Sequence, residues 1–440
     1  MQEGQNEERY LKKDLGLIAA MALVIGMVIG SGIFMKPGKV IAAAGDSTMG
    51  LLAWALGGII TLAAGLTVAE LGAQIPKTGG VYVYLEEVYG KFWSYLFGWV
   101  QTMIYGPATI AALGLYFSSL LVPFVGVADS LKVSIGIGTV IIMTIVNCLG
   151  AKYGGFIQSV ATAGKLIPIA AIAIFGLWKG NGQIFGMASG LSESTGMGAA
   201  ILATLWAYDG WVGVSFVAGE MKNPAKQLPR AIIIGLLVVI VAYLTVNMAV
   251  LHVLPAAEVV SLGKHAAGTA AGWLFGEFGG RLISIGILVS IFGTLNGYIL
   301  TTARVPYAMA ARDQLPAARL LSKVHTSFGT PINAIILQMV LAIAMMVMWD
   351  PDSLTDIAMF IMWAFYILAF LAVFVLRKRD PNTVRPYSVP AYPVVPVVAI
   401  VGAAYIVVSM LLDKPVDALY AVGMAVIGIP IYWLINKGSH

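Results

Sequence analysis

The 440-residue chain is too apolar for a soluble protein: hydrophobic residues make up 59% of it, charged residues make up 11%, and the mean hydropathy is +0.89. Soluble domains carry about 25% charged residues, so this composition excludes a soluble enzyme and predicts a multi-pass membrane protein. The net charge of +5 comes from basic residues scattered between apolar runs. Membrane topology explains that scatter, and no nucleic-acid partner is expected.

Twelve continuous apolar segments, each long enough to cross a hydrocarbon core about 30 Å thick, predict an all-α polytopic membrane protein with twelve transmembrane helices. Continuous runs, rather than alternating ones, exclude a β-barrel. The stretch 256–275 carries Glu258, Lys264 and His265 and is predicted to be a loop with a short surface helix. The predicted spans cover residues 15–43, 48–73, 92–124, 131–150, 156–178, 198–218, 229–254, 281–311, 332–349, 354–377, 392–412 and 415–436.

Twelve spans would place both termini on one side of the membrane. Of the 26 Lys and Arg residues, 18 fall on the side of the termini, 7 fall on the opposite side and Lys165 lies within a span. Because cytoplasmic loops are enriched in positive residues, the termini are predicted to be cytoplasmic and the protein to lie in the cell membrane. The first 14 residues are polar and lack the short apolar region of a cleavable signal peptide.

Predicted spans 1 and 6 are interrupted by poor helix formers at their centres. Span 1 contains GSG at 30–32, and span 6 contains DG at 209–210. A break at membrane depth frees backbone polar groups, which must then face a cavity or protein instead of lipid. Close helix packing is the alternative for Gly26 and Gly30, because small residues four positions apart often form packing seams.

The interval of five spans between the two breaks predicts an inverted repeat of five spans plus five, with helices 1 and 6 discontinuous. Residues 15–178 and 198–377 would form the repeats, and 392–436 two accessory helices, within a single domain of residues 1–440. The breaks would meet near the midplane, where half-helix ends present free N–H groups and free carbonyls. Such a site matches the carboxylate and the ammonium of an amino acid.

Several motifs resemble those of the amino acid–polyamine–organocation superfamily. IGSGIF at 29–34 and AELGAQIPKTGGVYVYLEEVYG at 69–90 resemble its signatures. WAYDGW at 206–211, followed by GEMKNPAKQLPRAI at 219–232, resembles the L-type amino acid transporter branch, and within it the bacterial serine/threonine and alanine/serine/cysteine exchangers. The resemblance implies sodium-independent, obligatory exchange of small neutral L-amino acids by alternating access. A proton-coupled symporter of the same fold is the alternative.

The resemblance also implies roles for residues at the two breaks. The backbone N–H groups of Ser31 and Gly32 would bind the substrate carboxylate, and the carbonyls of Val28 and Ile29 would bind the ammonium. Trp206 would be the gating aromatic residue, with its carbonyl and that of Ala207 also facing the ammonium. The implied substrate-binding set is Val28, Ile29, Gly30, Ser31, Gly32, Trp206, Ala207, Asp209 and Gly210, with Trp211 beside Gly210 on the far side of the second break.

Two ionisable residues lie at membrane depth, Lys165 in span 5 and Asp209 in span 6. Lys165 either snorkels to the interface or, as the family resemblance supports, bridges span 1 carbonyls to spans 5 and 8 in place of a sodium ion. Asp209 either caps the second half of span 6, recognises the substrate ammonium or a proton, or forms a structural pair. Tyr105 in span 3 is a candidate for lining the cavity and, with Lys165 and Trp206, for coupling or gating. Asn296 in span 8 is predicted to hydrogen-bond between helices.

The remaining expectations concern gates and partners. Glu70 and Glu220 either pair with basic residues at an inner gate or are solvated at the membrane interface. The loop near 125–131 lacks the cysteine through which animal L-type transporters bind a single-span glycoprotein, so no disulfide-linked heavy subunit is expected. The sequence has neither a His/Cys/carboxylate cluster with metal spacing nor a phosphate-binding loop, so no metal, cofactor or enzymatic activity is expected. The expected partners are L-amino acids and the lipid bilayer.

Overall fold

The computed structural model describes residues 16–77, 79–186, 195–216, 218 and 221–437. Within these ranges the protein is helical and contains no β-strand. A helix satisfies its backbone hydrogen bonds within one segment, which a chain in hydrocarbon requires. Glu220 and the polar residues before Gly16 lie outside the described ranges.

The helices are numbered in chain order. They are α1 Leu17–Val28, α2 Gly32–Met35, α3 Pro37–Ala44, α4 Ser47–Gln74, α5 Val81–Tyr89, α6 Lys91–Val100, α7 Gly106–Val125, α8 Lys132–Cys148, α9 Ala151–Lys179, α10 Met197–Ala207, α11 Gly213–Phe216, α12 Pro224–Val253, α13 Ala256–Leu262, α14 Ala266–Thr302, α15 Arg304–Ala310, α16 Ala318–Leu321, α17 Ile332–Met348, α18 Pro351–Arg379, α19 Val394–Asp413 and α20 Pro415–Lys437. One π-helical turn, Gln101–Tyr105, joins α6 to α7.

Nine helical segments of the described chain are long and apolar enough to cross a membrane. Two shorter apolar helices, α10 and α17, coincide with predicted spans 6 and 9, and α9 coincides with predicted span 5. The prediction of a helical, multi-pass membrane protein is therefore confirmed. The total of twelve crossings stays a prediction.

The stretch 256–275 differs from its prediction, because α13 and the first part of α14 make it helical. The helix bends at Gly276, whose φ of +71° lies in the left-handed region that favours glycine. Small residues on one face are buried, so this segment packs closely despite its charges. The buried residues are Ala266, Ala267, Ala270 and Ala271.

The helices around the two breaks are packed tightly, whereas the last two helices are peripheral. Helix α14 packs against α9, and α12 packs against both α1 and α4. The apolar window of Leu17–Met35 is 61% buried, but that of Pro415–Ile435 is only 17% buried, which places α20 at the edge of the bundle. Asn147 on α8 donates a hydrogen bond to Asn296 on α14 at 2.9 Å, which confirms the predicted interhelical role of Asn296.

Helix α18 begins at a well-formed N-cap. The side chain of Asp350 accepts hydrogen bonds from the backbone amides of Asp352 at 2.8 Å and Ser353 at 3.2 Å, which satisfies donors that lack a partner within the helix. Burial raises the pKa of Asp350, but the hydrogen bonds from Ser353 and from the Asp352 amide outweigh it and hold the pKa below its ordinary value of 3.8.

Candidate functional site

The first break separates α1 from α2. Helix α1 ends at Val28, the backbone at Ile29 is extended, and α2 begins at Gly32. Lys36 has helical backbone angles and continues α2 into α3, so the chain after the break is helical over residues 32–44. The last carbonyls of α1 and the first amides of α2 therefore have no partners within their own helices.

The second break separates α10 from α11. Helix α10 ends at Ala207, and helical structure resumes at Gly213. Between them Gly210 has a φ of +104°, and a Cβ at this position would lie 3.0 Å from the carbonyl oxygen of Met27. The backbone angle and the close approach both require glycine here.

The two breaks are in direct contact. A Cβ on Gly32 would lie 2.3 Å from the Cα of Ala207, which is far inside van der Waals contact. The indole N–H of Trp206 donates to the hydroxyl of Ser31 at 3.4 Å. The predicted substrate-binding residues lie in two segments about 175 positions apart in the sequence, and the fold brings these segments together in one buried site.

Lys165 is fully buried beside the first break. Its Nζ donates to the carbonyls of Gly26 and Ile29, each at 2.7 Å, and lies 3.5 Å from the hydroxyl of Thr294 on α14. Lysine near a helix C-terminus interacts favourably with the free carbonyls there. The side chain thus caps α1 and connects α9 with α14; it does not snorkel to the interface.

Tyr243 on α12 is a residue of the site that the sequence did not predict. Its hydroxyl lies 2.8 Å from the carbonyl oxygen of Val28 and 2.9 Å from that of Ala207. A hydroxyl has one proton, so it donates to only one of these carbonyls at a time. The carbonyls of Val28, Ile29 and Ala207, predicted to face a substrate ammonium, are thus contacted by Tyr243 or Lys165 in this structure.

Asp209 occupies the second break and faces two tyrosines. Its carboxylate accepts hydrogen bonds from the hydroxyls of Tyr105 at 2.5 Å and Tyr298 at 2.9 Å. The amides at the start of α11 instead bond to backbone, with Gly213 N–H donating to the Gly210 carbonyl. In the described residues Asp209 is therefore held by two tyrosine hydroxyls, and its role among the three alternatives stays a prediction.

A small cavity lies beside Asp209. Its volume is ≈ 30 Å³, and a buried water needs roughly 10–15 Å³ by this measure, so the cavity has room for about two waters. Tyr105, a candidate for lining a cavity, is among the residues that line this one. The other lining residues are Met27, Gln101, Asp209, Gly210, Val212, Gly213, Phe216, Tyr298, Thr301, Thr302, Val305 and Tyr366.

A buried ion pair joins the ends of α4 and α18. Arg377 donates two hydrogen bonds to the carboxylate of Glu70, at 2.9 and 2.7 Å, and Glu70 is only 1% exposed. Arg385 lies 3.4 Å from the same carboxylate, and the amide of Val389 donates to it at 2.7 Å. We call Glu70, Arg377 and Arg385 the Glu70 cluster. Pairing with basic residues was one of the two alternatives for Glu70, and the structure shows this pairing.

Comparisons with known proteins agree with this architecture. A family model described as amino acid permease matches residues 15–435. The chain is 53% identical to the serine/threonine exchanger SteT of Bacillus subtilis over 431 residues, which is 98% of each protein. It is 31% identical to the human b(0,+)-type amino acid transporter 1 over 99% of this chain and 90% of that one.

A third relative, the human large neutral amino acids transporter small subunit 2, is 30% identical over 96% of this chain and 80% of that one. The family and these relatives are transporters, not enzymes. The near-complete match to the family model and the multi-pass helical fold lead to one conclusion. The chain belongs to the amino acid permease family.

Proposed function

We propose that the chain is a sodium-independent exchanger of small neutral L-amino acids that works by alternating access. The observation that carries the proposal is the contact between the two helix breaks at Gly32 and Ala207. It places the free amides at the start of α2 beside the free carbonyls of α1 and α10. The 53% identity to a serine/threonine exchanger supports exchange and small substrates.

The site would bind the groups that all amino acids share. The substrate carboxylate would accept hydrogen bonds from the amides of Ser31 and Gly32, where the partial positive charge of a helix N-terminus is favourable. The ammonium would lie against the carbonyls of Val28 and Ala207. Because the single Tyr243 proton cannot serve both carbonyls, one of them retains an acceptor for the ammonium.

Lys165 would take the place of a coupling sodium ion. Its ammonium lies on two carbonyls at the end of α1 and is also close to Thr294 on α14. A fixed cation there would hold the break in shape without an ion from solution. Transport would then need neither sodium nor a second ion.

Binding requires the helices at the breaks to separate, because the ≈ 30 Å³ cavity is far smaller than an amino acid. The Glu70 cluster ties α4 to α18 on one side of the site. With the termini in the cytoplasm, as the distribution of basic residues favours, this cluster would form the inner gate. The twelve crossings, the five-plus-five inverted repeat and the accessory pair α19–α20 belong to the same proposal.

Proton-coupled symport is the alternative. The observation in its favour is the buried carboxylate of Asp209, which lies at the second break and next to the cavity. Against it, both tyrosine hydroxyls already donate to this carboxylate, as in a structural pair. Exchange is therefore the first candidate.

Counterflow in liposomes separates the two mechanisms. The purified chain is reconstituted alone, and uptake of radiolabelled serine is followed with or without internal serine, in sodium or choline buffer. We expect uptake only with internal serine, at equal rates in both buffers and without any heavy subunit. Uptake into empty liposomes that increases with an inward proton gradient would favour symport instead. A requirement for sodium would contradict both mechanisms.

A further inference from the structure

A second ion cluster lies at the opposite end of α18 from the Glu70 cluster. Lys36, which is fully buried, donates to Asp352 at 2.7 Å and to the hydroxyl of Thr355 at 2.8 Å. Lys39 on α3 contacts Asp356 at 2.9 Å. These contacts fasten the helical segment after the first break to the start of α18. We call Lys36, Lys39, Asp352, Asp356 and Lys414 the Lys36 cluster.

Lys414 enters this cluster from outside the two proposed repeats. It is the residue between α19 and α20, and its Nζ lies 2.5 Å from Oδ2 of Asp356. The side chain of Asp356 is only 4% exposed, whereas that of Lys414 is 35% exposed. One buried carboxylate therefore bridges Lys39 of the core and Lys414 of the accessory pair. Removing either lysine would leave this carboxylate with only one of its two direct ion-pair partners, which is costly for a buried charge.

A cavity of ≈ 340 Å³ adjoins this bridge. Its walls come from α3 after the first break, from α10 before the second break, and from α19. These are the segments that alternating access would have to separate on this side of the membrane. Lys414, Asp356 and Lys39 all line the cavity, so their ion pairs lie where that separation would begin.

We infer that Lys414 is a positioning residue that stabilises closure of the outer side of the transporter by holding Asp356 against Lys39. The inference rests on the proposed function, because it assigns the Lys36 cluster to the side opposite the cytoplasmic termini. It gives the accessory helices α19 and α20 a part in the transport cycle, because opening to the outside must break or rearrange the ion pair between Lys414 and Asp356.

Cysteine accessibility tests the inference without requiring transport. In a Cys148→Ser background, Met35→Cys places a thiol just before Lys36, at a position that is 3% exposed here. Intact cells are then treated with a membrane-impermeant maleimide. Lys414→Met should raise the labelling rate about fivefold, because losing a partly exposed ion pair changes an equilibrium constant by up to about this factor. Lys414→Arg keeps the charge and should label within about twofold of the unchanged lysine.

Two further variants serve as controls, one for the loss of a surface charge and one for misfolding. Asp413→Asn removes an exposed charge one residue away and should leave labelling unchanged. Lys414→Gln repeats the charge removal with a shorter side chain, so misfolding of one variant does not decide the test. Equal labelling of folded Lys414→Met or Lys414→Gln and Lys414→Arg proteins would overturn the inference.

Transport kinetics supply an independent outcome. If the outward-open fraction rises, the half-saturation concentration for external serine should fall by up to about fivefold in Lys414→Met, whereas that for internal serine should not fall. Faster labelling in a chain that exchanges no amino acid would support outer closure and refute the proposed exchange. Normal exchange with unchanged labelling and unchanged external half-saturation would refute the role of Lys414 alone.

Discussion

Replacing Lys165 with methionine separates a role in transport from a role in folding. The Nζ of Lys165 lies 2.7 Å from the carbonyl oxygens of both Gly26 and Ile29, and hydrogen bonds to charged groups contribute about 1.5–3 kcal/mol each. A lysine at membrane depth costs about 2.5–3.5 kcal/mol on insertion scales. The two hydrogen bonds together contribute about 3–6 kcal/mol, and the insertion cost offsets about 2.5–3.5 kcal/mol of that. Lys165→Met should therefore lower the free energy of unfolding by about 1.5 kcal/mol, and by no more than about 3.5 kcal/mol.

Transport should respond much more strongly to Lys165→Met. The α1 carbonyls beside the substrate would lose the donor that holds the break in shape. If one charged hydrogen bond differs between the resting and the transition state, its loss of about 1.4–2.8 kcal/mol slows exchange about 10- to 100-fold. Lys179, exposed at the end of the same helix, provides the matched control, and Lys179→Met should change neither stability nor exchange.

Two measurements decide this prediction: serine counterflow in proteoliposomes and thermal unfolding in detergent. Exchange within about twofold of the unmodified protein, with an unchanged half-saturation concentration, would refute a coupling role for Lys165. A loss of exchange that simply parallels a loss of folded protein would assign the lysine to stability alone.

Three further predictions concern the breaks and the N-cap of α18. Gly32→Ala should abolish exchange, because its Cβ would lie 2.3 Å from the Cα of Ala207, whereas Gly138→Ala, with open space around the Cβ, should not; counterflow distinguishes them. The rate of serine exchange should vary little between about pH 5 and 8, the range in which a buried carboxylate with a raised pKa would titrate. Asp209→Asn should leave this flat pH profile unchanged. A steep pH profile that the substitution abolishes would instead favour symport. Asp350→Ala should cost about 1 kcal/mol of stability at pH 7. Because the folded pKa of Asp350 is held below 3.8, this stabilisation is present above the ordinary pKa and is lost as the pH falls through the lower folded pKa. Asp350→Asn keeps a capping side chain that does not titrate. Thermal unfolding at pH 7 and at a pH below the folded pKa measures the difference.

The two helix breaks could be predicted because the bilayer allows few alternatives. Gly30-Ser31-Gly32 and Asp209-Gly210 are poor helix formers in the middle of apolar segments, and freed backbone groups there must face protein or a cavity. The tyrosines around them could not be predicted. Tyr243 and Tyr298 lie in long apolar helices, where an aromatic ring usually contributes packing. Only the tertiary structure brings their hydroxyls to the carbonyls of the breaks and to Asp209.

Charge pairing was predictable only in part. Glu70 at the end of an apolar segment left an ion pair as one of two alternatives, but its partner Arg377 lies 307 residues away, and no local pattern encodes that distance. Lys36 and Lys39 lie near the end of predicted span 1, and nothing near them in the sequence indicates Asp352 and Asp356 of α18 as their partners. The charged residues of the stretch 256–275 favour a loop with a short surface helix, and only the structure shows that its regularly spaced alanines are buried in helices.

The contact between Gly32 and Ala207 limits how a transporter of this kind can diversify. Because an added methyl group would meet the Cα of Ala207 itself, shortening the neighbouring side chain cannot make room for it. The part of the site that would bind the shared backbone of amino acids is thus nearly closed to variation. Changes of substrate preference during evolution would have to arise among the side chains of the surrounding helices, leaving the junction of the two breaks intact.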